Sequence, residues 1–129
     1  MSEEQYRRGL KKLEEMDPGA TARITERLQD IAPDLARYVI EFAYGEIYER
    51  PGPDLKLRET ATVAALTALG TAPAQLKTHI HRALNVGVTR QEVIEIILQM
   101  AVYAGFPAAL NGMGLAKEVF QERKKNGIH

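Results

Sequence analysis

The sequence predicts an all-α fold of six to seven helices, and three observations favour this class. Apolar residues recur at the spacing of a helix face, as Tyr6, Leu10 and Leu13 do near the start of the chain. Proline and glycine residues divide the 129 residues into helical lengths. No segment shows the period-two alternation that is typical of a half-buried strand. The length fits a single domain over residues 1–129.

The first three predicted helices take up the chain to about residue 50. Their apolar markers are, in order, Tyr6, Leu10 and Leu13; Ile24, Leu28 and Ile31; and Leu35, Tyr38, Val39 and Phe42. The first helix stops near Pro18-Gly19, because neither residue continues a helix well. Asp34 is a candidate N-cap for the third, which ends near Arg50, before another proline-glycine stretch.

Four more helices are predicted from cap signals in the rest of the chain. Asp54 can cap the fourth, which runs to about Leu69 and stops at Gly70. The fifth extends from about Pro73 to Val86. Thr89 and Glu92 have the spacing of a capping box, so the sixth follows them and continues to Ala104. The last begins near Pro107 and is expected to fray within residues 121–126.

Composition excludes several classes of function. The 17 basic and 17 acidic residues give a net charge of zero, so nothing favours binding to nucleic acid. Cysteine is absent, which removes disulfides, thiolate metal sites and thiol redox chemistry. The longest apolar run, Met100 to Leu110, is too short to span a bilayer, and the N-terminus has no apolar signal region. We expect a cytoplasmic protein without a membrane partner.

Two predicted helices are apolar on nearly every side. Ala61 to Leu69 has no charged residue, and Val93 to Ala104 has only Glu95. A helix of this kind must be covered on most of its faces, which a small domain can hardly do for two helices. We therefore expect a homo-oligomer. The alternative is a compact monomer with one central helix.

Two of the three histidines lie on the fifth predicted helix. Residues two apart on a helix are separated by about 200°, so His79 and His81 cannot share a face. His79 falls on the apolar side with Leu76 and Ala83, while His81 falls on the side of Lys77, towards water or another subunit. His79 is therefore either a satisfied core residue or the candidate acid or base. Diverging ligands make a poor metal site, and we expect none.

Five other residues are candidates for chemistry. Glu46 falls on the apolar side of the third helix, where partial desolvation would raise its pKa and suit it to proton donation, or it lies near the helix end and reaches solvent past Gly45. Glu59 is either a catalytic group or a residue that favours the positive start of the fourth helix. Arg50 and Arg58 are natural carboxylate binders, or surface ion-pair partners. Tyr103, at the end of the sixth helix, is either a site residue or part of the core.

The run Asn111-Gly112-Met113-Gly114 resembles a phosphate-binding loop at first sight. It follows no strand and lacks the glycine spacing of a dinucleotide-binding loop. We interpret its glycines as positions of close helix packing.

Several stretches together resemble the carboxymuconolactone decarboxylase family. They are residues 7–10, 42–52, Arg58-Glu59, 76–79 with Ala83, 87–89 and 101–108. The likeness covers almost the whole chain and is strongest over residues 33–121, with an N-terminal helix in residues 1–20 and a tail in 122–129. It implies an alkylhydroperoxidase D-like fold and a ring-shaped homo-oligomer, commonly a hexamer built from dimers or trimers.

The same resemblance implies an activity. Related proteins with a Cys-x-x-Cys before the histidine are thiol peroxidases, but residues 72–75 contain no cysteine here, so that activity is excluded. The decarboxylases of the family need no cofactor and convert 4-carboxymuconolactone to 3-oxoadipate enol-lactone in aromatic degradation. The likeness makes His79 the proton donor or oxyanion partner, with Glu46 and Glu59 orienting it or relaying protons. Arg50 and Arg58 would anchor carboxylates.

This chain also departs from the family pattern. Tyr44 and Tyr48 stand where tryptophan is common, so a related lactone or β-keto acid stays open as the substrate. Two other classes also stay open: a family member that catalyses a different proton transfer, and a ligand-binding oligomer without turnover.

Overall fold

The structure, a computed structural model, describes residues 2–128. It divides into two compact units, one ending at Gly52 and the other beginning at Pro53. Between residues 2 and 128 there are seven helices and no strand, which confirms the predicted all-α class. The single-domain organisation stays a prediction.

The first unit contains α1 (Glu3–Met16), α2 (Ala20–Leu28) and α3 (Pro33–Tyr38). The third helix continues without a break as a π-helical segment, Val39–Ile47, here called the π segment. The second unit contains α4 (Leu55–Leu69), α5 (Pro73–Asn85), α6 (Arg90–Ala104) and α7 (Phe106–Lys125).

Two glycines allow α1 to lie directly against the π segment. A Cβ atom on Gly9 would lie 2.0 Å from the carbonyl oxygen of Ile40, and one on Gly45 would lie 2.2 Å from that of Gln5. Only residues without a side chain permit this approach of the two backbones. Leu13 and Ile40 are fully buried in this unit, each at most 1% exposed.

The third helix differs from its prediction in two ways. Its cap position is Ala32 and not Asp34, because Pro33 fits the first helical turn, where its missing N–H leaves no bond unmade. The predicted apolar stripe also points outward, since Leu35 and Phe42 are 50% and 56% exposed. In the π segment the backbone N–H donates five residues back, which widens the turn and moves other residues inward.

Local cap signals place α4 and α6 as predicted. The Asp54 side chain accepts from the N–H of Leu57 at 2.9 Å, and Gly70 ends α4 in the left-handed conformation with φ +72°. Thr89 and Glu92 form the reciprocal capping box at the start of α6. The core between the four helices is apolar and includes Val63, Ile80, Ala83, Val93, Ile97, Ala116 and Val119.

The last helix is longer than predicted. It continues through residues 121–125, where fraying was expected, because Arg123 is 7% exposed and is held against α5. Gly112 is a close-packing position as predicted, since its Cβ would lie 2.9 Å from the Thr67 Cγ2 atom, but Gly114 faces open space. No helix of the described chain is long and apolar enough to cross a membrane.

Candidate active site

A carboxylate on α4 and an imidazole on α5 form a close pair in the second unit. The Nδ1 atom of His79 lies 2.8 Å from the Oε1 atom of Glu59. The Glu59 side chain is completely buried, while that of His79 is 16% exposed. The pair therefore joins a buried acid to a ring that reaches the surface.

The positions of both residues follow from their helix faces. Val63 lies one turn after Glu59, and Leu76 and Ala83 flank His79 at helical spacing. All three are buried core residues, so both polar side chains lie at the edge of the apolar face. The predicted orientation of His79 towards the apolar side is confirmed.

This geometry assigns different tasks to the two ring nitrogens. A buried carboxylate is costly without a partner, so Glu59 holds the Nδ1–H of His79 and fixes the ring orientation. The Nε2 atom is then the ring nitrogen that remains for another molecule. It accepts a proton when the ring is neutral and donates one when the ring is charged.

His81 lies on the other side of α5, as the helical wheel predicts, but it packs against α7. Its Nε2 atom is 3.9 Å from a Glu122 carboxylate oxygen, and its side chain is 30% exposed. The Nη1 atom of Arg123 lies 3.4 Å from the His81 Nδ1 atom. The expectation that this ring faces water or another subunit therefore gives way to a contact within the unit. No group of three or more histidine or acidic residues in the described chain is placed to hold a metal ion.

Two further candidates belong to the second unit. Arg58 precedes Glu59 on α4 and is partly buried, and its carbonyl oxygen accepts from the Thr62 hydroxyl at 2.9 Å. Tyr103, at the end of α6, is 77% exposed and is not part of the core of this chain.

Glu46 and Arg50 belong to the first unit and form an ion pair of their own. The Nη1 atom of Arg50 lies 3.6 Å from the Glu46 Oε1 atom, and the two side chains are 63% and 43% exposed, respectively. Of the two positions expected for Glu46, this exposure agrees with the one that reaches solvent near the helix end. The cause is the outward direction of the stripe to which Glu46 belongs.

Sequence reasoning missed three buried charged residues. Glu41 is 3% exposed and pairs with Arg37, which also pairs with Glu3. The i, i+4 spacing of Arg37 and Glu41 is a local signal that could have identified this pair. Arg82 and Arg123 are 5% and 7% exposed. Burial lowers the pKa of Arg123. The neighbouring residues in the segment 121–126 are mostly charged or polar, so the sequence does not predict that Arg123 is buried.

Comparisons with known proteins identify relatives of this chain. Residues 33–118 match the family described as "Carboxymuconolactone decarboxylase family". The chain is 36% identical to the 4-carboxymuconolactone decarboxylase of Acinetobacter baylyi over 93% of its own length and 90% of the relative's. It is 32% identical to a nitrosuccinic acid decarboxylase of Metarhizium robertsii over 69% of the chain and 62% of that protein. An uncharacterized 15.0 kDa protein of Paracoccus denitrificans is 31% identical over 74% of the chain and 72% of the relative.

Proposed function

Because the chain belongs to the carboxymuconolactone decarboxylase family, we propose that it is a cofactor-free decarboxylase of 4-carboxymuconolactone or a related carboxylated lactone. The observation that carries this proposal is the His79–Glu59 pair, in which a buried carboxylate is hydrogen-bonded to a partly exposed imidazole ring. The decarboxylase of Acinetobacter baylyi, similar over most of both chains, supports the substrate class.

The proposed reaction needs no cofactor, since the substrate accepts its own electrons. The bond between the γ-carbon of the unsaturated lactone and its carboxylate breaks, and carbon dioxide leaves. The electron pair moves through the ring to the carbonyl oxygen and forms a dienolate. A proton added at the α-carbon then gives the enol-lactone, so each turnover consumes one proton. The protein stabilises the oxyanion and supplies that proton.

In this proposal His79 is the catalytic residue and Glu59 the positioning residue. The Nε2–H of a protonated His79 donates to the oxyanion or to the α-carbon. Glu59, bonded at Nδ1, holds the ring in place and balances its charge. General acid catalysis of this kind contributes about 10²–10⁴ in rate.

Four further residues have proposed roles in the same reaction. Arg58 is next to Glu59 in the chain and would bind a substrate carboxylate with its guanidinium group. Arg50 would bind a second carboxylate, Glu46 would relay protons, and Tyr103 would contact the lactone. These roles come from the family likeness and the residue types.

We also propose that the protein forms a ring-shaped homo-oligomer, a trimer or hexamer. Val102, Tyr103, Phe106 and Leu110, around the junction of α6 and α7, are each at least 70% exposed in the single chain. Large exposed apolar residues close together mark an interaction surface, and a second copy would cover them. Light scattering that gives the mass of one chain would contradict the proposal. A role in aromatic catabolism and a cytoplasmic location stay predictions.

Carbon dioxide release from 4-carboxymuconolactone tests the proposed activity directly. Purified protein should release it well above the uncatalysed rate, and release at the uncatalysed rate would refute the assignment. The similarity to the nitrosuccinic acid decarboxylase supports a related acid as an alternative substrate. Nitrosuccinate is therefore the second compound to assay. Arg50→Gln and Arg58→Gln should raise KM about tenfold or more if each guanidinium binds a carboxylate.

A further inference from the structure

A groove of about 790 Å³ lies in the second unit. It is formed by the end of α5, the start of α6 and the part of α7 from Met113 onward, and neither His79 nor Glu59 lines it. Its volume is in the range of about 300–1,000 Å³ that is typical of small-molecule sites. The groove is therefore large enough for a ligand of its own.

The groove combines an apolar floor with a basic rim. Leu84, Ile94 and Met113 contribute apolar surface, and every charged residue that lines the groove is a cation: Arg90, Lys117, Arg123 and Lys124. Arg123 is already engaged, with its Nη1 atom 3.0 Å from the Asn85 Oδ1 atom. No carboxylate in residues 2–128 lies within ion-pair distance of Arg90, Lys117 or Lys124.

One edge of the groove holds an ordered aromatic contact. The guanidinium carbon of Arg90 lies 4.5 Å from the centre of the Phe120 ring. Stacking on an aromatic face orients a guanidinium while its N–H groups stay directed outward. Arg90 thus presents N–H donors beside an apolar surface, an arrangement that suits the planar head of a carboxylate.

The end of the chain closes one side of the groove. Gly127 adopts the left-handed conformation with φ +72°, and the N–H of Ile128 donates to the Arg123 carbonyl at 2.7 Å. This is the hydrogen-bond pattern of a Schellman motif, which turns the chain back over the last helical turn. The side chain of Ile128 thereby adds to the apolar lining.

We propose that this groove binds an amphipathic organic carboxylate, with its aliphatic or aromatic body on the apolar floor and its head group among Arg90, Lys117 and Lys124. Charge complementarity selects the occupant, because three cations with no acidic partner among residues 2–128 lie around a surface that favours an apolar body. The groove is a second binding site and is independent of decarboxylation at His79.

Binding of decanoate and decanol by calorimetry tests the charge requirement. Decanoate should bind, and decanol, which has the same chain length without the charge, should bind at least about tenfold more weakly. Equal affinity for the two compounds would overturn the proposal. The absence of decanoate binding to the assembled protein would also overturn it, and this absence is expected if a second copy covers the groove.

Matched lysine variants test the location. Lys117→Gln with Lys124→Gln should weaken decanoate binding about tenfold, while Lys125→Gln, on the same helix but outside the groove, should not change it. Ile128→Ser should weaken decanoate and decanol alike, because it removes apolar contact and leaves the backbone hydrogen bond intact. Equal effects of the Lys117/Lys124 and Lys125 variants would place the ligand elsewhere and refute the site. Carbon dioxide release should be unaffected by these variants, because none of them lies in the His79–Glu59 pair. Failure of this test is therefore distinguishable from failure of the proposed function.

Discussion

The Nδ1 atom of His79 lies 2.8 Å from the Oε1 atom of Glu59, a residue 20 positions earlier in the chain. The hydrogen bond joins two helices, and only one end of it reaches the surface, since Glu59 is 0% and His79 16% exposed. A buried carboxylate that holds an imidazole can control the orientation and charge of the ring without touching the substrate. We therefore expect the two residues to have separable effects on catalysis.

Glu59→Gln is expected to lower kcat about tenfold to a hundredfold with little change in KM. The amide keeps an oxygen that can accept the Nδ1–H but loses the charge, and a charge-assisted hydrogen bond contributes about 1.5–3 kcal/mol. Steady-state kinetics measures kcat and KM separately, with Glu95→Gln as an exposed control. Wild-type kcat in the Glu59 variant would show that Glu59 is only structural.

His79→Gln should lower kcat/KM by about 10²–10⁴, because it removes the proposed proton donor. His81→Gln is the matched control on the same helix and should keep kcat/KM within a fewfold of wild type. Its ring contacts Glu122 and Arg123 on α7 instead of Glu59. Carbon dioxide release by the two variants measures the difference. A greater loss for the His81 variant would reverse the assignment of the two rings.

The features of this fold that could be predicted depend on neighbouring residues. The caps at Asp54 and Thr89 act over three positions, so residue types and spacing identify them. The choice of His79 over His81 is also local, because it needs only the helical repeat. The starts of α4 and α6 and the opposite directions of the two rings were therefore accessible from the sequence.

What could not be predicted depends on contacts between distant residues. The π segment lies against α1 through Gly9 and Gly45, and a wheel drawn with ordinary helical spacing misplaces its inward face. The sequence does not distinguish Glu46 from Glu59 as the partner of His79, because packing and not spacing positions a carboxylate that is 20 or more residues away. The burial of Arg123 could not be predicted for the same reason, because its neighbours in the sequence are charged and polar.

Gly9→Ala is expected to destabilise the protein by about 1–3 kcal/mol, because the new methyl group meets the backbone of Ile40, which has no rotamer to change. Gly114→Ala is the control in a helix, where the added methyl meets nothing within 4 Å, and it should stabilise by about 0.5–1 kcal/mol. Urea unfolding followed by circular dichroism measures both values. Equal stability of the two variants would mean that α1 does not approach the π segment as described.

Glu92→Gln should make stability less sensitive to acid. The N–H of Thr89 donates to the Glu92 carboxylate and lowers the pKa of that group in the folded state. The stabilisation it provides is present above the unfolded-state pKa and is lost as the pH falls through the folded-state pKa. Glutamine keeps an acceptor for the capping box but does not titrate, so its unfolding free energy should fall less than that of wild type between about pH 5 and about pH 3. Urea unfolding across this range, with Glu26→Gln as an exposed control outside any cap, measures the difference. An unchanged pH dependence in the Glu92 variant, matching that of the control, would contradict the contribution of the capping box.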